Sequence, residues 1–340
     1  MTLGIVGAAT SRAEAACQFT IFPRHGTYEA VAHLHGPGLV LDGGGMTDAP
    51  ESTLRWLHRR LLGDDGRKRG GNVVILRASD ADVDDARSFK AGNFASVQTA
   101  LIPPCSTKAQ IDSVAPLVDK ADAVYFAGGD QANYVIWKGS ALIAAVKRVY
   151  ARGGVVGGGS AGLAIQGAVV YDSVAGDRLN VETHTADAVR NPLEPRISFT
   201  TGLFAWPALA DTITDTHLVV RDRIGRTIVF LARILRDNVL PGVRTVYGLG
   251  IDEGSAVVVD PDGMGTVLNL PGSKGAYLIR AGTMPQLTAG QPFKYTVQIS
   301  HIGAEGTRFD LLHKHTTQPW KSVTVDGSRK PIYSPNPYSP

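Results

Sequence analysis

The sequence predicts an α/β fold with a mostly parallel central sheet covered by helices and a β-rich C-terminal part. Short apolar runs alternate with amphipathic stretches, as strands and crossover helices do in such sheets. Several runs end directly in glycine-rich turns, and in the last third the runs follow one another at hairpin-like spacing. The predicted strands cover 38–41, 73–76, 97–102, 123–126, 155–156, 245–250, 256–259, 266–270 and 276–279, and amphipathic helices are expected over 52–62 and 131–150.

The 340 residues, 44% of them hydrophobic, are sufficient for one large packed domain. We find no internal repeat and no clear linker, so we predict an N-terminal segment 1–35, one α/β domain over 36–330 and a Pro/Ser-rich tail 331–340. The apolar run 3–9 resembles either the end of a secretory signal or an ordinary tail. A secreted or periplasmic location is therefore as well supported as a cytoplasmic one. The sequence also leaves open the oligomeric state, for which a homodimer is one possibility, and whether Cys17 and Cys105 form a disulfide.

Composition argues against several classes of partner. The formal net charge of +3 is too small to predict a nucleic-acid surface, and no apolar run approaches the roughly 18 residues of a membrane span. The two cysteines lack the spacing of a zinc site, and no His-Glu-x-x-His motif is present. We predict no metal, no cofactor and no membrane insertion.

The strongest local pattern is a strand, a run of glycines, Ser160 and then a helical segment. A serine hydroxyl becomes a nucleophile when a tight strand-to-helix turn exposes it beside a base and amide donors. We expect the preceding glycines to adopt the strained backbone angles of that turn. The alternative is a phosphate-binding or close-packed loop, but the run lacks the lysine of a P-loop and the spacing of a dinucleotide fingerprint.

A second glycine turn, 128–131, also follows a predicted strand. Because neighbouring parallel strands end at the same edge of a sheet, it should lie beside the Ser160 turn. Amides near Gly129 and of Ala161 could then form an oxyanion hole, and Gln131 could bond substrate or be only a surface residue. Among nine histidines, His217 is flanked by an acid and followed by closely spaced arginines.

Four motifs, in this order, resemble cyanophycinase and its relatives: Gly128–Gln131, Gly157–Gly162, Asp215–Arg226 and Gly248–Glu253. These relatives are serine peptidases with a class I glutamine-amidotransferase-like fold, and the likeness runs from about 38 to 259. The resemblance implies hydrolysis of cyanophycin, a polyaspartate with arginine on its side-chain carboxyls, to β-Asp-Arg dipeptides. It implies that Ser160 is the nucleophile, His217 the general base and Glu253 the acid that orients it. It also implies that the substrate pocket is lined by Gln131, Asp215, Arg221, Arg223 and Arg226.

The chain departs from that pattern in two of these motifs, with Gly159 and Leu163 where the family usually has Thr and Ala, and with Thr216 and Leu218 where it has Gln and Phe. Substrate identity is therefore open, and an aspartyl or β-aspartyl peptidase for other peptides is the close alternative. A non-catalytic peptide-binding relative is the alternative from another class. A glutamine amidotransferase would need a cysteine at the elbow instead of Ser160. Guanidinium groups suit carboxylate-bearing substrates, although Asp222 and Arg226 are also spaced for an ordinary surface pair.

Overall fold

The computed structural model describes residues 17–45, 51–63, 69–79, 83–174 and 182–339. Within them two sheets are formed, one of ten strands and one of eight. The strands, in chain order, are β1 Thr20–Ile21, β2 His25–Gly26, β3 Gly38–Asp42, β4 Asn72–Arg77, β5 Ser96–Leu101, β6 Ala123–Phe126, β7 Val155–Gly159, β8 Val169–Tyr171, β9 Phe199–Thr201, β10 Thr212–Asp215, β11 Val246–Ile251, β12 Ser255–Val259, β13 Met264–Asn269, β14 Ala276–Ala281, β15 Lys294–Ile302, β16 Arg308–Asp310, β17 Trp320–Asp326 and β18 Tyr333–Ser334.

Helices connect the strands of the first sheet and cover the second. The described helices are α1 Glu51–Leu62, α2 Lys108–Ser113, α3 Ala115–Val118, α4 Ala132–Val135, α5 Ala141–Ala151, α6 Ala161–Ala164, α7 Thr185–Arg190 and α8 Ile224–Arg236, with 3-10 turns at Asp85–Gly92 and Pro207–Leu209. The α8 helix is buried along most of its length, which explains the long apolar stretch that precedes β11 in the sequence.

The first sheet has a parallel centre in the order β5-β4-β6-β7-β3. These strands read as apolar runs without alternation because both faces of a parallel sheet are covered. The sheet is extended by antiparallel strands, β1 and β2 at one edge and β12, β13 and β16 at the other. The mostly parallel central sheet is therefore confirmed.

The second sheet, in the order β18-β17-β15-β14-β11-β10-β8-β9, is mostly antiparallel, with parallel pairs only at β10-β11 and β8-β10. It accounts for the β-rich C-terminal part that the sequence predicts. The chain crosses from this sheet to the first between β11 and β12, so the turn that contains Glu253 lies where the two sheets meet.

One helix prediction needs correction. The expected helix 131–150 is split into α4 and α5, because Gly139 adopts a φ of 79° and the Ser140 side chain caps α5 by accepting from the Ile143 amide. The segment before α8 forms turns, in which His217 and Asp222 have φ values of 50° and 47°. Arg223 is the N-cap residue of α8 and lies in its first turn with Arg226.

The tail 331–340 is ordered by contact in its described part. β18 pairs with β17, and Tyr333 and Tyr338 pack on the apolar cluster around α8. The proposed signal region, 3–9, lies outside the described residues.

Cys17 and Cys105, whose pairing the sequence left open, form a disulfide. It joins the segment before β1 to the segment after β5 and closes a loop with a sequence separation of 88. A crosslink of this span reduces the conformational entropy of the unfolded chain.

We expect that replacing both cysteines by serine lowers the free energy of unfolding by about 2–4 kcal/mol. Denaturant unfolding of the wild type and of the Cys17→Ser/Cys105→Ser variant would measure the difference. Added reductant should shift the midpoint of the wild type and leave that of the variant unchanged. Equal midpoints under non-reducing conditions would contradict a stabilising role.

Among the described residues, no helix combines the length and apolar character needed to cross a bilayer. The same part of the chain contains no group of three or more His, Cys, Asp or Glu side chains arranged to hold a metal ion.

Candidate active site

Ser160 lies in the sharp turn between β7 and α6. Its backbone has φ 53° and ψ −115°, a conformation that costs a non-glycine residue about 1–3 kcal/mol and that persists where function requires it. The prediction that the preceding glycines adopt the strained angles is wrong, because the positive φ belongs to Ser160 itself.

The glycines around Ser160 serve close packing instead. A Cβ on Gly157 would lie 2.2 Å from the Val40 carbonyl oxygen, and one on Gly162 would lie 2.0 Å from that of Phe126. Neighbouring backbones therefore approach Ser160 from both sides. This packing fixes the turn and the direction of the hydroxyl.

Three side chains far apart in the sequence converge at this turn. The Ser160 Oγ lies 2.7 Å from His217 Nε2, and His217 Nδ1 lies 2.5 Å from Glu253 Oε1. His217 follows β10 and is buried, with only 5% of its side chain exposed. Its backbone amide donates to the Gly43 carbonyl, and a Cβ at Gly44 would lie 2.5 Å from the imidazole, so glycine at position 44 makes room for the ring.

The surroundings of His217 favour the neutral imidazole. Burial lowers its pKa below the ordinary 6.5, and the nearby charges of Arg221 and Arg223 lower it further, against the opposing effect of Glu253. A neutral ring whose Nδ1–H is donated to Glu253 leaves Nε2 free to accept the proton of Ser160.

We expect the midpoint of the acidic limb of kcat/KM to lie below pH 6.5, because the pKa of His217 is lowered and kcat/KM falls as the imidazole of the free enzyme gains a proton. Arg221→Gln removes one of the positive charges that lower the pKa of His217. The pKa of His217 should therefore be higher in this variant, and the acidic limb of its kcat/KM profile should lie at higher pH. Profiles of kcat/KM against pH for the two proteins would measure the shift. Coincident limbs would contradict the electrostatic coupling.

The two residues whose amides were predicted to form an oxyanion hole, Gly129 and Ala161, line the same cavity as Ser160. Gly129, with φ 145°, follows β6, the strand adjacent to β7, and a Cβ on its neighbour Gly128 would lie 3.6 Å from the Ser160 Cβ. Ala161 begins α6. Within the described part of the chain neither amide donates to an acceptor, so both remain available to a ligand oxygen.

A small cavity of about 180 Å³ opens beside Ser160. We call it the arginine pocket, and the residues of interest in its lining are Gly129, Asp130, Gln131, Ser160, Ala161, Glu182, Asp215, Arg221, Arg223 and Arg226. Every residue that the sequence assigned to a substrate pocket lies in this lining. Glu182 was not anticipated.

Arg226 is held from two sides and is only 3% exposed. Its Nε and Nη2 donate to the two carboxylate oxygens of Asp215, at 2.9 and 2.5 Å, and its Nη1 donates to Glu182. The alternative of a surface pair with Asp222 is therefore wrong. Burial alone would raise the pKa of Asp215, but the charge and hydrogen bonds of Arg226 outweigh it and hold that pKa below its usual value.

Arg223 and Arg221 share the same internal carboxylate. Arg223 Nη2 contacts Glu182 Oε1, and its Nη1 donates to the carbonyl and hydroxyl of Thr216 at 2.8 and 2.9 Å. Arg221 is 47% exposed and lies 3.9 Å from Glu182 and 3.7 Å from Glu253. Among the described residues, the buried Nε of Arg223 has no hydrogen-bond partner. Because many of these N–H groups are already paired within the protein, fewer of them can bind a ligand than the presence of three arginines would suggest.

Glu182→Gln is expected to strengthen binding of a substrate carboxylate, because it removes the acid that now occupies Arg223 and Arg226. We predict a fall in KM for acidic substrates of about tenfold, the size of one charge-assisted hydrogen bond. Steady-state kinetics and inhibition by free aspartate would measure it. The matched control is Glu194→Gln, whose carboxylate pairs with Arg196 away from the pocket. A higher KM in Glu182→Gln would mean that Glu182 itself holds the substrate.

Sequence reasoning also missed a buried acid beneath the nucleophile. The Asp42 carbonyl accepts from the Ser160 amide, and its carboxylate accepts from the Gly44 amide at 2.8 Å and the Tyr125 hydroxyl at 2.9 Å. Burial raises the pKa of Asp42 to about 6. Asp42 is the last residue of β3 and directly follows the apolar run 38–41 that predicted this strand, where nothing indicated a site residue.

The loop that contains Arg221 is anchored at two points. Asp252 accepts from the amides of Val219 and Val220 at 2.8 and 3.1 Å. Asp222 accepts from the hydroxyls of Tyr333 and Tyr338 at 2.7 and 2.6 Å. The described part of the tail therefore contacts Asp222, the residue between Arg221 and Arg223.

No protein-family description and no curated protein matches this chain. Among solved structures it is similar to a peptidase from an acI-B1 Actinobacterium, at 16% identity over 86% of this chain and 98% of that one, with a TM-score of 0.45. It is also similar to a candidate peptidase E protein from Listeria monocytogenes EGD-e, at 15% identity over 69% of this chain and 98% of that one, with a TM-score of 0.41. At these values neither similarity tells what this chain binds or cleaves.

Proposed function

We propose that this protein is a serine hydrolase that cleaves a peptide or isopeptide bond through an acyl-enzyme. The observation that carries the proposal is the continuous relay from hydroxyl to imidazole to carboxylate, with 2.7 Å from Ser160 Oγ to His217 Nε2 and 2.5 Å from His217 Nδ1 to Glu253. The strained Ser160 turn after a central parallel strand supports a fold of the class I glutamine-amidotransferase-like kind.

In the proposed reaction the Ser160 Oγ attacks the scissile carbonyl carbon while His217 Nε2 takes its proton. The imidazolium, stabilised by Glu253, then gives that proton to the leaving nitrogen as the C–N bond breaks. Water, deprotonated by the same imidazole, attacks the ester and releases the acid and Ser160. The amides of Gly129 and Ala161 are proposed to hold the oxyanion in both steps.

The acyl residue is proposed to be acidic, because the half-exposed Arg221 lines the arginine pocket together with Arg223 and Arg226. A cavity of about 180 Å³ is smaller than the roughly 300–1,000 Å³ of pockets that take drug-sized ligands. This size suits a short side chain better than an arginine-bearing branch. We therefore favour an aspartyl or β-aspartyl peptidase, with the cyanophycinase reaction as the second candidate.

Incubation with α- and β-linked aspartyl dipeptides and with cyanophycin, followed by chromatography of the products, would test the substrate. Release of free aspartate with intact polymer supports the favoured proposal, and release of β-Asp-Arg supports the second candidate. A protein that binds these peptides equally well as wild type and as Ser160→Ala, with no turnover in either, would instead be a non-catalytic binding protein.

A further inference from the structure

A second and larger cavity lies on the other side of Ser160. Its volume is about 560 Å³, and it shares Gly129, Ser160 and Arg221 with the arginine pocket. We call it the aromatic chamber, because its walls include Ile75, Phe89, Tyr125 and Ala127. Nothing in the proposed acyl side of the reaction requires this space.

The position of His217 distinguishes the two cavities. His217 lines the aromatic chamber, whereas the described lining of the arginine pocket does not include it. A general acid must reach the nitrogen that departs, so the leaving group has to lie on the side of the imidazole. The acyl residue then occupies the opposite side, next to the arginines and the amide of Ala161.

The walls of the aromatic chamber include several apolar side chains. Ile75, Phe89 and Ala127 are buried in the fold, and Phe89 meets Tyr125 edge to face, with ring centroids 5.1 Å apart. Gly44, Gly45 and Gly128 add surfaces without side chains. An apolar or aromatic side chain would lose water against these groups, which favours its binding.

Three charged residues of the aromatic chamber, Arg77, Asp85 and Asp42, have internal partners. Arg77 Nη1 donates to both oxygens of Asp85 at 3.0 Å, and its Nε donates to the Ser79 hydroxyl at 3.0 Å. The two oxygens of Asp42 accept from Gly44 and Tyr125. Arg221, which is half-exposed, borders both cavities, and away from it a charged ligand would find little uncompensated charge in the aromatic chamber.

We propose that the aromatic chamber binds the leaving group and selects a peptide whose first residue after the scissile bond is uncharged, with an apolar or aromatic side chain. This inference rests on the proposed function, since it assumes attack by Ser160. The bond that breaks joins the acyl carbon at Ser160 to the nitrogen of the chamber-bound residue, and that nitrogen leaves with the proton from His217 Nε2.

The test uses aspartyl-X amides in which X is Gly, Leu, Phe, Lys or Glu, and measures kcat/KM by release of the X amide. We expect Leu and Phe to exceed Gly by at least about tenfold, with Lys and Glu no better than Gly. Ser88→Leu adds a side chain to the wall of the aromatic chamber and should lower kcat/KM for Phe about tenfold while leaving Gly within about twofold. Ala127→Leu at the opposite wall provides a second variant if the first does not fold.

The matched control is Ser113→Leu, the same change at an exposed position of α2, which should follow the wild type for every X. Two results would overturn the inference and leave the proposed function standing. One is hydrolysis that requires Ser160 but proceeds at the same kcat/KM for every X. The other is an equal loss of kcat/KM for Gly and Phe in Ser88→Leu. Hydrolysis that persists in Ser160→Ala, or none with any peptide, would remove both.

Discussion

Ser160→Ala is expected to lower kcat on the order of 10⁶-fold, as loss of the nucleophile does in serine peptidases. The expectation follows from the contact of its hydroxyl with His217 and from the strained turn that presents it. A fluorophosphonate probe should label the wild type and not the variant. Labelling detects the nucleophile directly and requires no knowledge of the substrate.

Ser113→Ala is the control for this experiment, because Ser113 is an exposed serine whose hydroxyl only donates to the Gln110 carbonyl. It should be labelled at the rate of the wild type. If Ser160→Ala were labelled as fast as these two proteins, another residue would be the nucleophile and the assignment of Ser160 would be lost.

Glu253→Gln is expected to lower kcat by about 10⁴-fold with little change in KM. The amide of Gln can donate to His217 Nδ1, which would place the imidazole proton on Nε2 and prevent it from accepting the proton of Ser160. The substitution preserves size and side-chain shape. Active-site titration together with steady-state kinetics would separate the loss of chemistry from a loss of folded protein.

The same substitution at Glu182 is the matched comparison, since both carboxylates lie within 4 Å of Arg221. Glu182→Gln should act on KM and Glu253→Gln on kcat. A Glu253→Gln enzyme with normal kcat and an altered KM would show that Glu253 serves the pocket and not the imidazole.

The Ser160 turn and the neighbouring Gly129 could be predicted, because short sequence patterns define them. A strand, a glycine run and Ser160 define a turn, and two neighbouring strands bring Gly129 beside it. The convergence of Ser160 with His217 and Glu253 is a tertiary contact, which only ordered motifs suggested and which the geometry now displays. Their catalytic roles remain predictions.

The parts that could not be predicted depend on contacts between distant segments. Glu182 lies outside the helices and strands, and it meets Arg226 only because the chain folds back over a sequence separation of 44. The splitting of the expected helix 131–150 depends on a single φ at Gly139. The Cys17–Cys105 pair needs the edge strand β1 to pair with β5, which the sequence did not reveal.

The contacts of Tyr333 and Tyr338 with Asp222 give the described tail a role in how the protein could evolve. Substitutions at these tyrosines would change the position of the loop that contains Arg221 and Arg223. They would do so without placing a new side chain in the arginine pocket or the aromatic chamber. Libraries selected for a new acyl specificity should therefore yield adaptive changes at 333–338 as well as among pocket residues. Such changes would tune recognition from residues outside the lining of both cavities.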